Sequence, residues 1–372
     1  MNFGLYVHIP FCLKKCDYCD FVSYTGRQDL HERYIDTLIW ELEGLPESKV
    51  DTVYIGGGTP SSIDAHLIER LMRAVVQRFH IQQDAEVSIE VNPATVTAES
   101  LACYRACGIN RISMGVQSFL DDELCDLGRL HDSHDVYESY RMIADSGFKN
   151  INLDLMFGIN GQSRQSFASS LEQAISLFPA HISAYSLIVE ENTPMYERKK
   201  TGTLMLPDED TERAMYDDAA ARLGQAGYRQ YEISNFAREG FACRHNLKYW
   251  HCEPYYGIGV AAHSYDGLAR WSNTTNLRSY LDCPKCGDVP TVERQVLTDA
   301  DKRTEYIIMG LRLCEGISLQ TFSEKFGEDF LTCYGDICEK YQKLGLLQVQ
   351  EGRVFFTHDG FSVSNTILCE LV

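Results

Sequence analysis

Residues 6–21 read YVHIPFCLKKCDYCDF, and the three cysteines in that run, Cys12, Cys16 and Cys19, govern how the rest is read. Their C-x3-C-x2-C spacing puts three thiolates on one short loop, directly after an apolar run at 3–8. Iron–sulfur clusters are held by cysteine thiolates, four of them in an ordinary [4Fe–4S] cluster. No further cysteine occurs before Cys103, so one iron lacks a protein ligand and stays open to a small molecule. An open position marks a catalytic metal rather than a structural one. Zinc is the competing reading, with His8 or Asp20 as fourth ligand. The second C-x2-C or C…H half that zinc sites carry does not follow.

Outward from the loop, short β-branched runs alternate with amphipathic stretches, the rhythm of βα units around a parallel sheet. Strands are expected at 3–8, 52–55, 86–91, 111–116, 150–157 and 181–187, with helices at 30–42, 67–79, 98–106, 135–146 and 166–177. Thr97 is placed to N-cap the helix that follows it, and Gly108 and Gly147 to end two others. Spacing alone leaves a barrel and an open doubly wound sheet both standing. In parallel barrels the chemistry gathers where strands end, and here each strand ends in something polar or glycine-rich: the cysteine loop, Gly56-Gly57-Gly58-Thr59-Pro60, Glu90-Val91-Asn92-Pro93, Gly115-Val116-Gln117-Ser118, Asp154 before Phe157-Gly158, and Tyr185-Ser186. Glycines at 56–58 let backbone approach a ligand closely, and their N–H groups are expected to be exposed to it. Glu90 and Asp154 can accept from ammonium or ribose hydroxyls. Gln117 and Arg129 can reach a carboxylate or nucleoside edge.

The loop, with GGGTPS, EVNP, ISMGVQSF, GRLH and NLDLMFGING in order, resembles the radical S-adenosylmethionine (SAM) family. More narrowly, it is similar to the branch shared by the oxygen-independent coproporphyrinogen III oxidase and the heme chaperones. That resemblance implies an α/β fold, a partial (β/α)6 TIM-type barrel with a small C-terminal winged-helix-like α+β domain. It implies a [4Fe–4S] cluster on Cys12, Cys16 and Cys19, with SAM chelating the open iron and yielding a 5′-deoxyadenosyl radical on reduction. Tyr6, Tyr18, Gly57, Gly58, Thr59, Glu90, Gln117, Arg129, Asp154 and Ile188 fall on the family's SAM-lining positions.

After residue 205 the rhythm loosens. A helix is expected at 211–226, then a strand at 228–236, then CRHNLKYWHC at 243–252. Heme iron accepts His, Tyr or Cys, and the aromatic side chains could cover a porphyrin. A core segment with a hydrogen-bonded histidine, or a zinc site from Cys243, His245, His251 and Cys252, fits the composition as well. HNLKYW matches the HNxxYW motif of the heme chaperone branch, which makes His245 the implied heme ligand and Tyr249 the second; His263 is assigned no ligand role. Cys283 and Cys286 read as a surface turn, 283–298 as a linker, and the remainder as a helix at 301–313 followed by a helix–helix–hairpin unit that acts as a lid or docking domain. Three segments are expected: 1–205 as barrel with cluster loop, 206–295 as an extension carrying HNLKYW, and 296–372 as the C-terminal domain.

Composition narrows the functions. The chain of 372 residues carries a formal net charge of −19 and no Lys/Arg-rich stretch beyond Arg198-Lys199-Lys200, read as a solvated turn. The basic footprint of a nucleic-acid binder is missing. No apolar run is long enough for a membrane helix, no basic leader precedes the cluster loop, and fourteen cysteines without a secretion signal read as reduced thiols, so the cytoplasm is expected. The oxidase pattern has a fourth cysteine where Phe21 stands, and a long N-terminal extension where five residues precede Tyr6. The resemblance therefore implies a heme chaperone delivering heme to hemoproteins, respiratory enzymes among them, with an electron donor and a homodimer fitting the branch. Decarboxylation of coproporphyrinogen III is the alternative.

Overall fold

The computed structural model describes residues 2–372. Six parallel strands, β1 (Phe3–Ile9), β2 (Lys49–Gly57), β3 (His80–Val91), β4 (Arg111–Gln117), β5 (Asn150–Phe157) and β6 (His181–Ser186), lie side by side in chain order. Each pair is bridged by helices on the outer face, where every second side chain is apolar; the alternate positions, among them Glu90, Ser113, Asp154 and Ser183, are polar and line the interior. Val7, Ile55, Ile89, Ile112, Leu153 and Ile182 are wholly buried. All six expected strands are present, β2 and β3 longer than their apolar centres.

The wall does not close. Beyond β6 come β8 (Asn235–Ala237) and β7 (Arg229–Gln230), antiparallel; beyond β1 come β9 (Tyr255–Ile258), parallel, then β10 (His263–Tyr265), β11 (Ala269–Asn273) and β12 (Thr291–Val296), antiparallel. The result is an open twelve-stranded sheet whose parallel part is the partial barrel. The strand expected at 228–236 is instead the short β7–β8 hairpin, because residues 231–234 turn to bond the C-terminal unit through Ile233 N–Arg312 O, 3.1 Å. The expected linker at 283–298 is not one either. Cys283 and Cys286 lie in the last turn of the helix Leu277–Cys286, which ends on Gly287 at φ +72°, and β12 follows on the sheet edge. Arg198–Lys200 likewise ends a helix, Pro194–Lys200, with Arg198 held to Asp126 at 2.7 Å.

Helix punctuation follows local chemistry. Thr97 and Ser100 form a reciprocal capping box, and Gly108 and Gly147 sit just past helix ends at φ +94° and +87°. After the helix Asp299–Gly310, a second apolar core gathers Ile307, Phe322, Phe330, Val354 and Ile367. It is built by helices Leu319–Phe326 and Phe330–Lys343 with an antiparallel sheet, β13 (Ile317–Ser318), β15 (Arg353–Phe356) and β14 (Leu347–Gln350). A last helix, Ser364–Leu371, closes it through Tyr341 Oη donating to Glu370, 2.8 Å.

Candidate functional site

At the C-terminal ends of β1–β6 the loops converge on one cavity of about 440 Å³. All three cysteines line it with Tyr18 between them, as do residues 57–59. Glu90, Gln117, Arg129, Asp154 and Ile188 complete its wall. Tyr6 is the one expected SAM-lining residue that faces elsewhere.

The cysteine loop is braced from within and from outside. Lys15 Nζ donates across it to Phe21 O at 3.0 Å, and Asp17 N donates out of it to Leu127 O at 3.1 Å. Gly128, at φ +76°, lies so close that a Cβ there would meet Asp17 at 2.8 Å. Donors point at two sulfurs: Thr59 Oγ1 at Cys12 and Arg129 Nη1 at Cys16, each 3.5 Å. Donors on sulfur suit iron-bound thiolates. Burial raises the Cys12 thiol and pushes Cys19 up to about 11, so metal binding has to displace those protons. A single zinc ion needs sulfurs 2.3 Å from one centre. Among the described residues the three ligand groups within 4.8 Å of one another are His66, Glu69 and Cys103, and the three loop thiols are not so gathered. The loop's donor set fits the cluster.

The glycine stretch behaves differently from expectation. Gly57 N donates to Glu90 Oε2 at 3.1 Å, Gly58 N to Ile9 O and Thr59 N to Phe11 O, both 2.8 Å. Those amides are spent within the fold, so the stretch supplies close approach and no free donors. Around it, Glu90 accepts from Tyr54 Oη at 2.9 Å, and burial, reinforced by Asp154, pushes its carboxyl up to about 7. Asp154 accepts from Asn152 at 2.8 Å and Ser113 at 3.2 Å. Gln117 sits at φ +69° and accepts from Tyr185 Oη at 2.7 Å, a strained backbone held by its neighbours. Arg129 is fully engaged, donating to Asn92 Oδ1 at 2.7 Å and to Gly115 O. The sequence marks Asn92 and Tyr185 as strand ends facing the cavity, without a role of their own. It does not single out Tyr54, since nothing local distinguishes it from a core aromatic.

A second cavity, about 750 Å³, adjoins the first; Asp20 and Phe21 line both. Tyr6 and His8 from β1 form one side, and Asn246, Tyr249 and Trp250 from the helix Arg244–Trp250 another. His245 does not line it. Its ring is 1% exposed, with Nδ1 bonded to Thr52 Oγ1 at 2.9 Å, Nε2 to Tyr249 Oη at 2.8 Å, and its face stacked on Tyr54. Burial, followed by Lys248 and Arg111, drives its pKa down to about 3, so the ring is neutral and uses one nitrogen as donor and the other as acceptor. The expected four-residue zinc set is not assembled: the Cys243 thiol faces Glu86 at 3.6 Å while His245 is committed as above.

Comparison with known proteins now decides the lineage. Residues 6–174 match the radical SAM superfamily and residues 297–363 the HemN C-terminal domain. Heme chaperone HemW of Bacillus subtilis is 36% identical over 369 residues, covering 97% of each chain. The chain belongs to the HemW family. Heme chaperone HemW of Escherichia coli is 35% identical across 88% of this chain and 91% of its own. The solved structure of coproporphyrinogen III oxidase (HemN) from Escherichia coli, a radical SAM enzyme, superposes with a TM-score of 0.87 at 25% identity, covering 100% of this chain and 90% of that one. Radical SAM membership implies a [4Fe–4S] cluster and SAM. No helix among the described residues is long and apolar enough to cross a membrane.

Proposed function

We propose that this protein is a heme chaperone: it binds heme in the 750 Å³ cavity and passes it to hemoproteins, with a cluster and SAM in the adjoining cavity. The observation that carries the reading is the shared wall. Asp20 and Phe21 belong at once to the cysteine loop and to the second cavity, so filling the cluster site sets one side of the heme site. Cys12, Cys16 and Cys19 would hold the cluster; SAM, when bound, supplies a sulfonium at its open iron. Glu90 and Asp154 present acceptors, while Arg129 holds Asn92 and leans on Cys16. Tyr18, Gly57, Gly58, Thr59, Gln117 and Ile188 shape the same pocket, and Tyr6 spans toward the second.

Three working segments follow, 1–205, 206–295 and 296–372, the last with its own apolar core and suited to docking. The recipient hemoproteins, an electron donor, a homodimer and a cytoplasmic setting belong to this reading.

The HemN likeness supports a second reading, decarboxylation of coproporphyrinogen III. Against it stands Phe21 in the place of the oxidase's fourth cysteine. One experiment separates them. Anaerobically reconstituted protein with SAM and a reductant is supplied with hemin in one arm and coproporphyrinogen III in the other. Stoichiometric heme uptake with no carbon dioxide released is expected; carbon dioxide release without heme uptake overturns the chaperone reading.

A further inference from the structure

The 750 Å³ cavity is of a size that takes a porphyrin-sized ligand, and its wall carries every kind of side chain that binds heme iron: His, Tyr, Cys and Met. Most of these donors are already committed. His8 has both ring nitrogens bonded, Nδ1 to Tyr6 Oη at 3.0 Å and Nε2 to Val22 O at 2.9 Å. Tyr249 is tied to His245, and burial raises its phenol well above the ordinary range. Tyr255 is raised by burial too and accepts from Arg270 at 3.4 Å. Burial pushes the Cys252 thiol up to about 11, which leaves it a protonated thiol at neutral pH.

His263 is different. It opens β10 on the cavity wall, its side chain is exposed, and it makes no side-chain hydrogen bond or ion pair among the described residues. Its neighbours in the strand, Ser264 and Tyr265, are buried and fix the backbone on either side of β10, against β9 and β11. A rigid strand presenting an uncommitted imidazole into an aromatic-walled cavity is what an axial ligand requires. Met309, from the helix Asp299–Gly310, is the other uncommitted donor on that wall, a weaker one.

We propose that His263 supplies the iron ligand for heme in this cavity, and that His245 is a positioning residue that holds Tyr249 in the wall. The inference rests on the heme-binding reading above. It also accounts for the HNLKYW run: Asn246, Tyr249 and Trp250 face the cavity, while His245 braces the helix from behind against Thr52.

The test titrates hemin into cluster-loaded wild type, His263→Ala, His245→Gln and Met309→Leu, read by electron paramagnetic resonance and resonance Raman, with iron content and melting as controls for folding. His263→Ala is expected to lose the histidine–iron signature and bind hemin at least tenfold more weakly, and added imidazole is expected to restore the signature. His245→Gln keeps the histidine–iron signature whatever its affinity, and Met309→Leu keeps it as well. An unchanged signature in His263→Ala, or its loss in a folded His245→Gln, overturns the assignment while leaving heme binding in place. Wild type that takes up no hemin overturns both readings together.

Discussion

Arg129 shows at the scale of one residue how the site is held. Its guanidinium meets an amide oxygen after β3, a backbone carbonyl of β4 and a thiol of the cysteine loop, which a planar fork can do and a single ammonium cannot. Arg129→Lys is therefore expected to keep the charge yet raise the dissociation constant for SAM about tenfold, measured by equilibrium dialysis on reconstituted protein; unchanged affinity would mean that only the charge matters. The GRLH run made Arg129 legible in the sequence. His245 was left by the sequence with two readings both standing, a heme ligand and a hydrogen-bonded core histidine. Its two partners, Thr52 and Tyr249, come from β2 and its own helix, and no linear pattern shows that a ring in such a motif is already satisfied.

Among the elements, the turn after β2 ties the site to the sheet. Gly58 lies against β1 and the cysteine loop, where a Cβ would meet Phe11 O at 2.8 Å and Ile9 O at 2.9 Å. Those atoms are backbone and cannot swing away. Gly58→Ala should cost on the order of 2–3 kcal/mol by overpacking, seen as a lower midpoint in denaturant, and should lower iron and sulfide per chain because the displaced segment is the cluster loop. A variant with parental stability and full iron content would show that the loop has slack. Here the sequence carried the right residue with the wrong reason: the GGG run looked like free donors, and the amides of Gly57, Gly58 and Thr59 are already bonded to Glu90, Ile9 and Phe11 in turn.

Across the whole molecule, the barrel and the C-terminal unit meet at a polar seam. Glu232, fully buried, bridges to Leu313, while Ile233 bonds Arg312 and Cys314 bonds Tyr231. Burial pushes the Glu232 carboxyl, neither of whose oxygens has a hydrogen-bond partner, up to about 7. A carboxyl whose native pKa lies above its unfolded value keeps its proton longer in the native state. Its burial therefore costs nothing below the unfolded pKa and weighs increasingly against folding as the pH rises toward 7. Glu232→Gln removes that titration, so the variant should gain roughly 1–3 kcal/mol on the parent between pH 5 and pH 8, read from denaturant melts at both pH values. Parallel pH profiles of parent and variant would place the titration elsewhere.

The cluster loop, the six βα units and the lineage were all written along the chain, because each depends on residues near one another: cysteine spacing, β-branched runs, caps and glycines at strand ends. What lay beyond the sequence depends on partners far apart in it. That the sheet stays open, that 228–236 breaks into a hairpin to meet the C-terminal unit, that His245 is walled in and His263 left free, all follow from which groups satisfy one another once buried. A buried polar group must find its partner wherever the fold brings one, and only the folded chain says where that is.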